Sequence, residues 1–128
     1  MHARCTANGI SRRRGNAYSE GLERARLLGR AIPDGHMVAA LPSVQDTDDL
    51  YYDGSLKRIY MPGGEGFISV FQMNDPDHYQ LLARIPTALG ARTAGYFGLA
   101  GKGFNRLYLA VPARGNDPAE VRIYTAQE

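Results

Sequence analysis

Short apolar runs separated by polar turn residues fill the chain from about residue 35 onward. The runs are rich in Val, Ile, Leu, Tyr and Phe, and Gly, Pro, Asn and Asp cluster between them, which is the pattern of β-strands and turns. None of the intervals has helical spacing over the ten or so residues that a helix needs. Eight strands are predicted, at His36–Leu41, Asp49–Tyr52, Arg58–Pro62, Phe67–Gln72, Tyr79–Ile85, Thr93–Phe97, Arg106–Val111 and Val121–Tyr124.

The segment 1–33 lacks this pattern and is predicted to be a separate, non-repeat part of the chain, either irregular or containing a short helix. The helix would occupy Ser19–Leu28, where Leu22, Ala25 and Leu28 recur at every third position behind a serine that can cap the first turn.

Two parts of the remaining chain repeat each other. Lys57–Met61 matches Asn105–Leu109, and Phe67–Phe71 matches Glu120–Tyr124. The second pair of segments is slightly further apart than the first, and the difference falls in the longer turn that precedes the last strand. Insertions confined to turns are expected when each repeat is one unit of several strands.

An upstream strand extends the repeat. Val38–Pro42 resembles Leu82–Pro86, which is placed as the last strand of a repeat. The predicted order is therefore one outer strand, a full four-stranded unit, and three strands of another unit.

Apolar side chains occur on both faces of several predicted strands, as in Ile59–Met61 and Phe67–Phe71. A sheet with one wet face alternates apolar and polar residues, whereas a sheet covered on both faces does not. With no helices to provide cover, neighbouring sheets must do so, and a period in the forties is the size of a β-propeller blade. A β-sandwich is the alternative, but its strands should keep a polar outer face.

Arg58–Phe71 resembles the YVTN-type β-propeller repeat, in which an Arg-aliphatic-Tyr-aliphatic strand leads through a turn to an Ile-Ser-Val-Ile strand. Arg106–Val111 resembles the same element again, although Pro62 and Pro112 stand where the repeat usually has Asn. The resemblance implies a partial propeller of about two blades over residues 34–128. It also implies a bacterial, commonly exported protein that acts as a binding scaffold; some similar propellers are lactonases.

Charge and composition restrict the partners. The net charge is +2, but residues 1–30 hold seven arginines against two glutamates, so this segment is strongly basic. It lacks aromatic residues interleaved with the arginines, so nucleic-acid binding is not expected. No apolar run approaches the roughly 20 residues that span a bilayer, no signal peptide is visible, and the single Cys5 gives no internal disulfide.

The candidate ligand site lies where the innermost strands begin. Asp48 and Asp49 precede one inner strand, and Arg92 and Thr93 precede the next at the equivalent place. At the rim of a propeller channel, these side chains would hold a cation, a sugar or an anionic group. The alternative is that Asp46, Asp48 and Asp49 are turn residues with Arg92 as their ion-pair partner.

Other polar motifs have structural explanations. Asn74–His78 lacks the glycine and distal glutamate of a calcium loop and is predicted to be an Asx turn. Gly63–Gly66 joins strand to strand with no following helix, which disfavours a phosphate site. Neither a metal centre nor a nucleophile with a paired base is predicted, and no cofactor is expected.

The sequence therefore predicts a non-catalytic propeller module that serves as a binding or assembly scaffold; the alternative is part of a lactonase-like hydrolase. Two blades leave two apolar faces exposed to water, so the partners are expected to be other blades, supplied by self-association or by a longer chain. Three copies would give six blades and four copies eight. A small-molecule or protein ligand is compatible with either arrangement.

Overall fold

The computed structural model describes residues 11–13, 16–20, 26–31, 36–99 and 104–127. These ranges contain eleven β-strands and no helix, and so no helix that is long and apolar enough to cross a membrane. The strands are β1 Ser11–Arg13, β2 Asn16–Glu20, β3 Arg26–Ala31, β4 Met37–Pro42, β5 Tyr51–Asp53, β6 Arg58–Gly63, β7 Phe67–Asp75, β8 His78–Pro86, β9 Thr93–Leu99, β10 Phe104–Val111 and β11 Glu120–Thr125.

The strands form three antiparallel sheets in chain order. The first sheet has the order β1-β2-β3-β4, the middle sheet β5-β6-β7-β8, and the last sheet β9-β10-β11. Within each sheet, every strand pairs with the strand that follows it in the sequence, so each sheet is a simple meander with hairpin connections.

All eight strands predicted from the apolar runs are present, with small differences at their ends. The order of the last strand of one sheet, one four-stranded sheet and three further strands is confirmed by β4, the middle sheet and the last sheet. The all-β fold is therefore confirmed for the described residues.

The expected short helix at Ser19–Leu28 is wrong for the residues that the structure describes. Ser19 and Leu28 lie opposite each other on neighbouring strands β2 and β3, and Leu27 is fully buried. The pairing with β4 stabilises extended backbone where local spacing favoured a helix, because tertiary contacts outweigh a weak propensity. Residues 21–25 of the expected helix lie outside the described residues.

The described residues of the basic segment are strands of the first sheet. Three strands that precede residue 34 pair with one another, and β3 pairs with β4 from Arg26↔Pro42 to Arg30↔Met37. The predicted domain boundary after residue 33 thus falls between two strands of one sheet. The described residues form three sheets, whereas the sequence predicts about two blades over residues 34–128.

The sequence repeat is also a structural repeat. In the middle sheet the Met73 amide donates to the Lys57 carbonyl at 2.8 Å, and in the last sheet the Ala126 amide donates to the Asn105 carbonyl at 2.9 Å. The sequence alignment of the two repeats places Lys57 on Asn105 and Met73 on Ala126, so the two bonds are equivalent. Corresponding residues of the two sheets therefore face in corresponding directions.

The middle sheet is covered on both faces. Towards the last sheet, Tyr60, Ile68 and Val70 join a buried cluster with Leu107 and Leu109. Towards the first sheet, a second buried cluster contains Leu27, Val44, Leu50, Ile59, Met61 and Phe71. These two clusters are the core, and they explain why neighbouring residues of β6 are both apolar.

The sheets lie side by side with like edges together. β1 contacts β5 and β4 contacts β8, so the first and last strands of the first sheet lie beside the first and last strands of the middle sheet. β9 of the last sheet contacts β6. This arrangement places the starts of the inner strands, which carry the candidate site, at neighbouring positions.

Proline and glycine residues define one end of the middle sheet. Pro62 is fully buried in β6 opposite Ile68 of β7. At Gly63, a β-carbon would lie 2.4 Å from the carbonyl oxygen of Gln45 and 2.5 Å from a methyl group of Val44. The segment that links the first sheet to the middle sheet approaches this closely only because the position is glycine.

Candidate functional site

Three of the four predicted site residues form one polar cluster between the middle and last sheets. Arg92 Nη1 lies 2.7 Å from Asp46 Oδ2, and Arg92 Nε lies 3.7 Å from Asp48 Oδ2. The Thr93 hydroxyl donates to the same Asp48 oxygen at 3.3 Å. The side chains of Arg92, Asp46 and Asp48 are all about half exposed, and the cluster opens to solvent.

The backbone holds Asp46 in position for this contact. Asp46 has a φ of 58°, in the left-handed region that Asp and Asn tolerate better than most residues. Its carbonyl oxygen accepts a hydrogen bond from the Gly64 amide at 2.8 Å. The carboxylate of Asp46 and the neighbouring carboxylate of Asp48 hold the Arg92 guanidinium in its charged form, which raises the pKa of Arg92.

Asp49, the fourth predicted site residue, faces Tyr51. Burial raises the pKa of Tyr51 to about 12, and the nearby Asp49 carboxylate adds to the effect. The Tyr51 hydroxyl donates to the Ala94 carbonyl oxygen on the innermost strand of the last sheet. Tyr51 therefore links β5 to β9 through a neutral phenol.

Asp53 is the polar residue that sequence reasoning missed. It is only 5% exposed, and its Oδ1 accepts hydrogen bonds from the Ser55 amide at 2.8 Å, the Ser55 hydroxyl at 2.6 Å and the Leu56 amide at 3.3 Å. Its Oδ2 accepts from the Tyr96 hydroxyl of the last sheet at 2.8 Å. Burial opposes ionisation of Asp53, but these hydrogen bonds outweigh it and lower the pKa of the carboxyl group.

The ring of Tyr96, whose hydroxyl binds this carboxylate, packs against two further tyrosine rings. The ring centroid of Tyr96 lies 5.3 Å from that of Tyr60 and 6.3 Å from that of Tyr51. Burial first, and the Asp53 carboxylate second, raise the pKa of both Tyr60 and Tyr96. The phenols remain protonated at neutral pH. The Tyr96 hydroxyl donates to Asp53, and both rings act as packing surfaces.

We use the term inner seam for this row of contacts: Asp46, Asp48, Asp49, Tyr51, Asp53, Arg92, Thr93 and Tyr96. Its polar groups mainly bond to one another across the middle and last sheets. Arg92 is the ion-pair partner of Asp46 and Asp48, as in the structural alternative to a ligand site. Ligand binding at the Asp48, Asp49, Arg92 and Thr93 rim stays a prediction. The described ranges hold no group of three or more His, Cys, Asp or Glu side chains with metal-binding geometry.

The Asx turn predicted at Asn74–His78 is confirmed. The Asp75 carboxylate accepts from the Asp77 amide at 2.8 Å and contacts His78 Nδ1 at 2.7 Å. Its bond to that backbone amide is the main reason that the pKa of Asp75 is lowered. The motif closes the hairpin between β7 and β8.

A second candidate surface is the outer face of the last sheet, formed by Phe97, Tyr108, Val121 and Ile123. Phe97 is 66% exposed, Val121 63% and Ile123 57%. The ring of Phe97 meets that of Tyr108 edge-on at 5.7 Å. No described part of the chain covers Phe97, Val121 or Ile123.

The repeat shows how unusual this exposure is. Val121 and Ile123 occupy the positions of Ile68 and Val70 in the middle sheet, which are 1% and 4% exposed beneath the last sheet. The same face is thus buried in one repeat and open in the next.

Comparisons with protein-family models, curated proteins and solved structures found no match for this chain.

Proposed function

We propose that this chain is a non-catalytic repeat module of the β-propeller type, which acts as an assembly or binding scaffold by stacking sheets face to face. The observation that carries the proposal is the outer face of the last sheet. Its apolar residues occupy positions that are buried in the preceding repeat, and an exposed apolar surface of this kind marks an interaction site.

The inner seam also supports a scaffold role. Arg92 and Thr93 bind Asp46 and Asp48 in the segment before β5. Tyr96 binds Asp53 of β5 itself, so these contacts fix the relative position of the middle and last sheets. A stacking sheet is expected to present an apolar centre, as the last sheet does with Leu107 and Leu109, together with polar groups near its innermost strand.

The number of sheets changes the expected assembly. With three sheets in the described part of each chain, two copies stacked head to tail would supply six sheets, which lies within the four to eight blades of propellers. A ligand at the Asp48, Asp49, Arg92 and Thr93 rim would then bind near the axis of the assembly.

The experiment is a measurement of mass in solution, by light scattering and sedimentation over a range of concentrations. Phe97→Lys places a charge on the outer face of the last sheet, away from the strand edges of β11. We expect the wild-type chain to associate and Phe97→Lys to lower the mass.

Leu89→Lys is the matched control, because Leu89 is 65% exposed but lies outside that face. It should leave the mass unchanged. A wild-type chain that remains a monodisperse monomer, or equal behaviour of the two lysine variants, would refute stacking through this face.

A further inference from the structure

The outer edge of the last sheet is regular. β11 pairs with β10 from Arg106↔Thr125 to Val111↔Glu120 with no register shift. The outer edge strands of the other two sheets pair through irregular ladders, with shifts at Gly29/Arg30 for β4 and at two places for β8. Bulges twist an edge away from further pairing, so β11 is the outer edge best suited to accept another strand.

The hydrogen-bond phase identifies the free backbone groups of β11. The Ala126 amide donates to the Asn105 carbonyl, so the amides and carbonyls of residues 122 and 124 also point towards β10. Those of Val121, Ile123 and Thr125 point away from it, because alternate residues of an antiparallel strand face opposite sides. No described strand pairs with this side of β11.

The sequence of β11 is compatible with pairing to itself. If Ile123 lies opposite Ile123 of a second copy, Val121 lies opposite Thr125 and Arg122 opposite Tyr124. No like charges face each other in this register, and an arginine beside a tyrosine ring is favourable. A register centred on Val121 instead would pair only residues 120–122 of one β11 with the β11 of the second copy, because the strand begins at Glu120.

We propose that two copies of this chain pair antiparallel along β11, about a two-fold axis at Ile123, and form one continuous six-stranded sheet. Three outward residues from each copy would make about six backbone hydrogen bonds. The contact uses an edge, whereas the stacking proposed above uses a face, so each contact can exist without the other. Antiparallel self-pairing is closed by symmetry and limits this contact to two copies.

Ile123→Pro tests the edge directly. Proline removes the outward amide of residue 123, leaves the carbonyls and amides of residues 122 and 124 on β10, and is tolerated on the solvent side of an edge strand. We expect it to raise the dissociation constant of the dimer by about tenfold or more. Ile123→Val keeps the amide and an apolar β-branched side chain, and it should dimerise like the wild type.

Amide hydrogen exchange gives a second readout at single residues. In the dimer, the amides of Val121, Ile123 and Thr125 should become protected as concentration rises. In Ile123→Pro, the amides of Val121 and Thr125 should exchange fast at all concentrations. If Ile123→Pro does not fold, as judged by circular dichroism, Thr125→Pro replaces it because residue 125 also points outward.

Edge pairing and face stacking fail in different ways. Phe97→Lys should remove stacking and leave an edge-paired dimer. Thr125→Pro removes an outward amide but leaves all four residues of the outer face in place, so it should remove the edge pair and leave the stacked species. The edge pair would be overturned if the folded proline variant had the mass and dissociation constant of the wild type. It would also be overturned if the protection of amides 121, 123 and 125 from exchange in the wild type did not depend on concentration.

Discussion

Removing the Tyr96 hydroxyl tests whether the buried Asp53 carboxylate joins the middle and last sheets. Tyr96→Phe deletes one donor to Asp53 and keeps the ring that packs on Tyr60 at 5.3 Å. A hydrogen bond to a charged group contributes about 1.5–3 kcal/mol when buried. Because Tyr96 is only partly buried, we expect a loss near the lower end, about 1–2 kcal/mol.

That loss converts into a measurable change in melting temperature. An unfolding entropy of about 2.1 cal/mol/K per residue gives roughly 0.27 kcal/mol/K for a chain of this length, so Tm should fall by about 4–7 °C. Calorimetry and circular dichroism melts measure it. Tyr79→Phe is the matched control, because the Tyr79 hydroxyl donates to the Pro76 carbonyl at an exposed position, and it should cost less than about 1 kcal/mol.

The pH dependence provides the refutation. Asp53 has a pKa below its ordinary value of 3.8 in the folded chain, so the unfolded chain takes up a proton first as the pH falls. The stability from Asp53 is therefore present above about pH 4 and is lost as the pH drops through the folded pKa. Tyr96→Phe removes one of the hydrogen bonds that lower the pKa of Asp53, so it brings that pKa closer to 3.8. The difference in free energy of unfolding between this variant and the wild type should therefore narrow in acid. Equal losses of stability for Tyr96→Phe and Tyr79→Phe would show that this reasoning is wrong. So would a stability difference between the wild type and Tyr96→Phe that is the same in neutral and in strongly acidic solution.

Two further substitutions test the packing around the middle sheet. Gly63→Ala places a β-carbon 2.4 Å from the Gln45 carbonyl oxygen and should lower the free energy of unfolding, measured by chemical denaturation, by about 1–3 kcal/mol. Gly54→Ala is its control, because the nearest atom to a β-carbon there lies 3.5 Å away. It should change stability by less than about 0.5 kcal/mol. Phe71→Ala opens a cavity beneath the first sheet and should cost about 3–5 kcal/mol, while Leu81→Ala, at a site 46% exposed, should cost less than about 1 kcal/mol. Equal costs within either pair would contradict the packing described.

The strands from β4 onward were predictable because their signals are local. Dense apolar runs, bounded by glycine, proline and asparagine, determine strand positions in any all-β fold. The internal repeat could be read directly from the sequence, and the equivalent bonds from Met73 to Lys57 and from Ala126 to Asn105 show that it is structural. The prediction that strands such as β6 are covered on both faces follows from the same runs and is confirmed.

The first sheet and half of the inner seam were not predictable in this way. Leu22, Ala25 and Leu28 have helical spacing, and the pairing that holds β3 extended comes from the neighbouring strands. Asp53-Gly54-Ser55 has the composition of a turn, and Asp53 does bind Ser55 locally. Its partner Tyr96 is distant in the sequence, and no local pattern connects the two.

Pro62 determines how far the innermost strand of the middle sheet can extend. Continued past Tyr51↔Tyr60, the ladder would join Asp49 to Pro62, where proline has no amide to donate. The last sheet has Ala110 at the equivalent place, and there the pair Thr93↔Ala110 forms. Because of Pro62, the segment that contains Asp46 and Asp48 does not pair with β6. Their carboxylates bind Arg92 and Thr93 at the start of the last sheet instead.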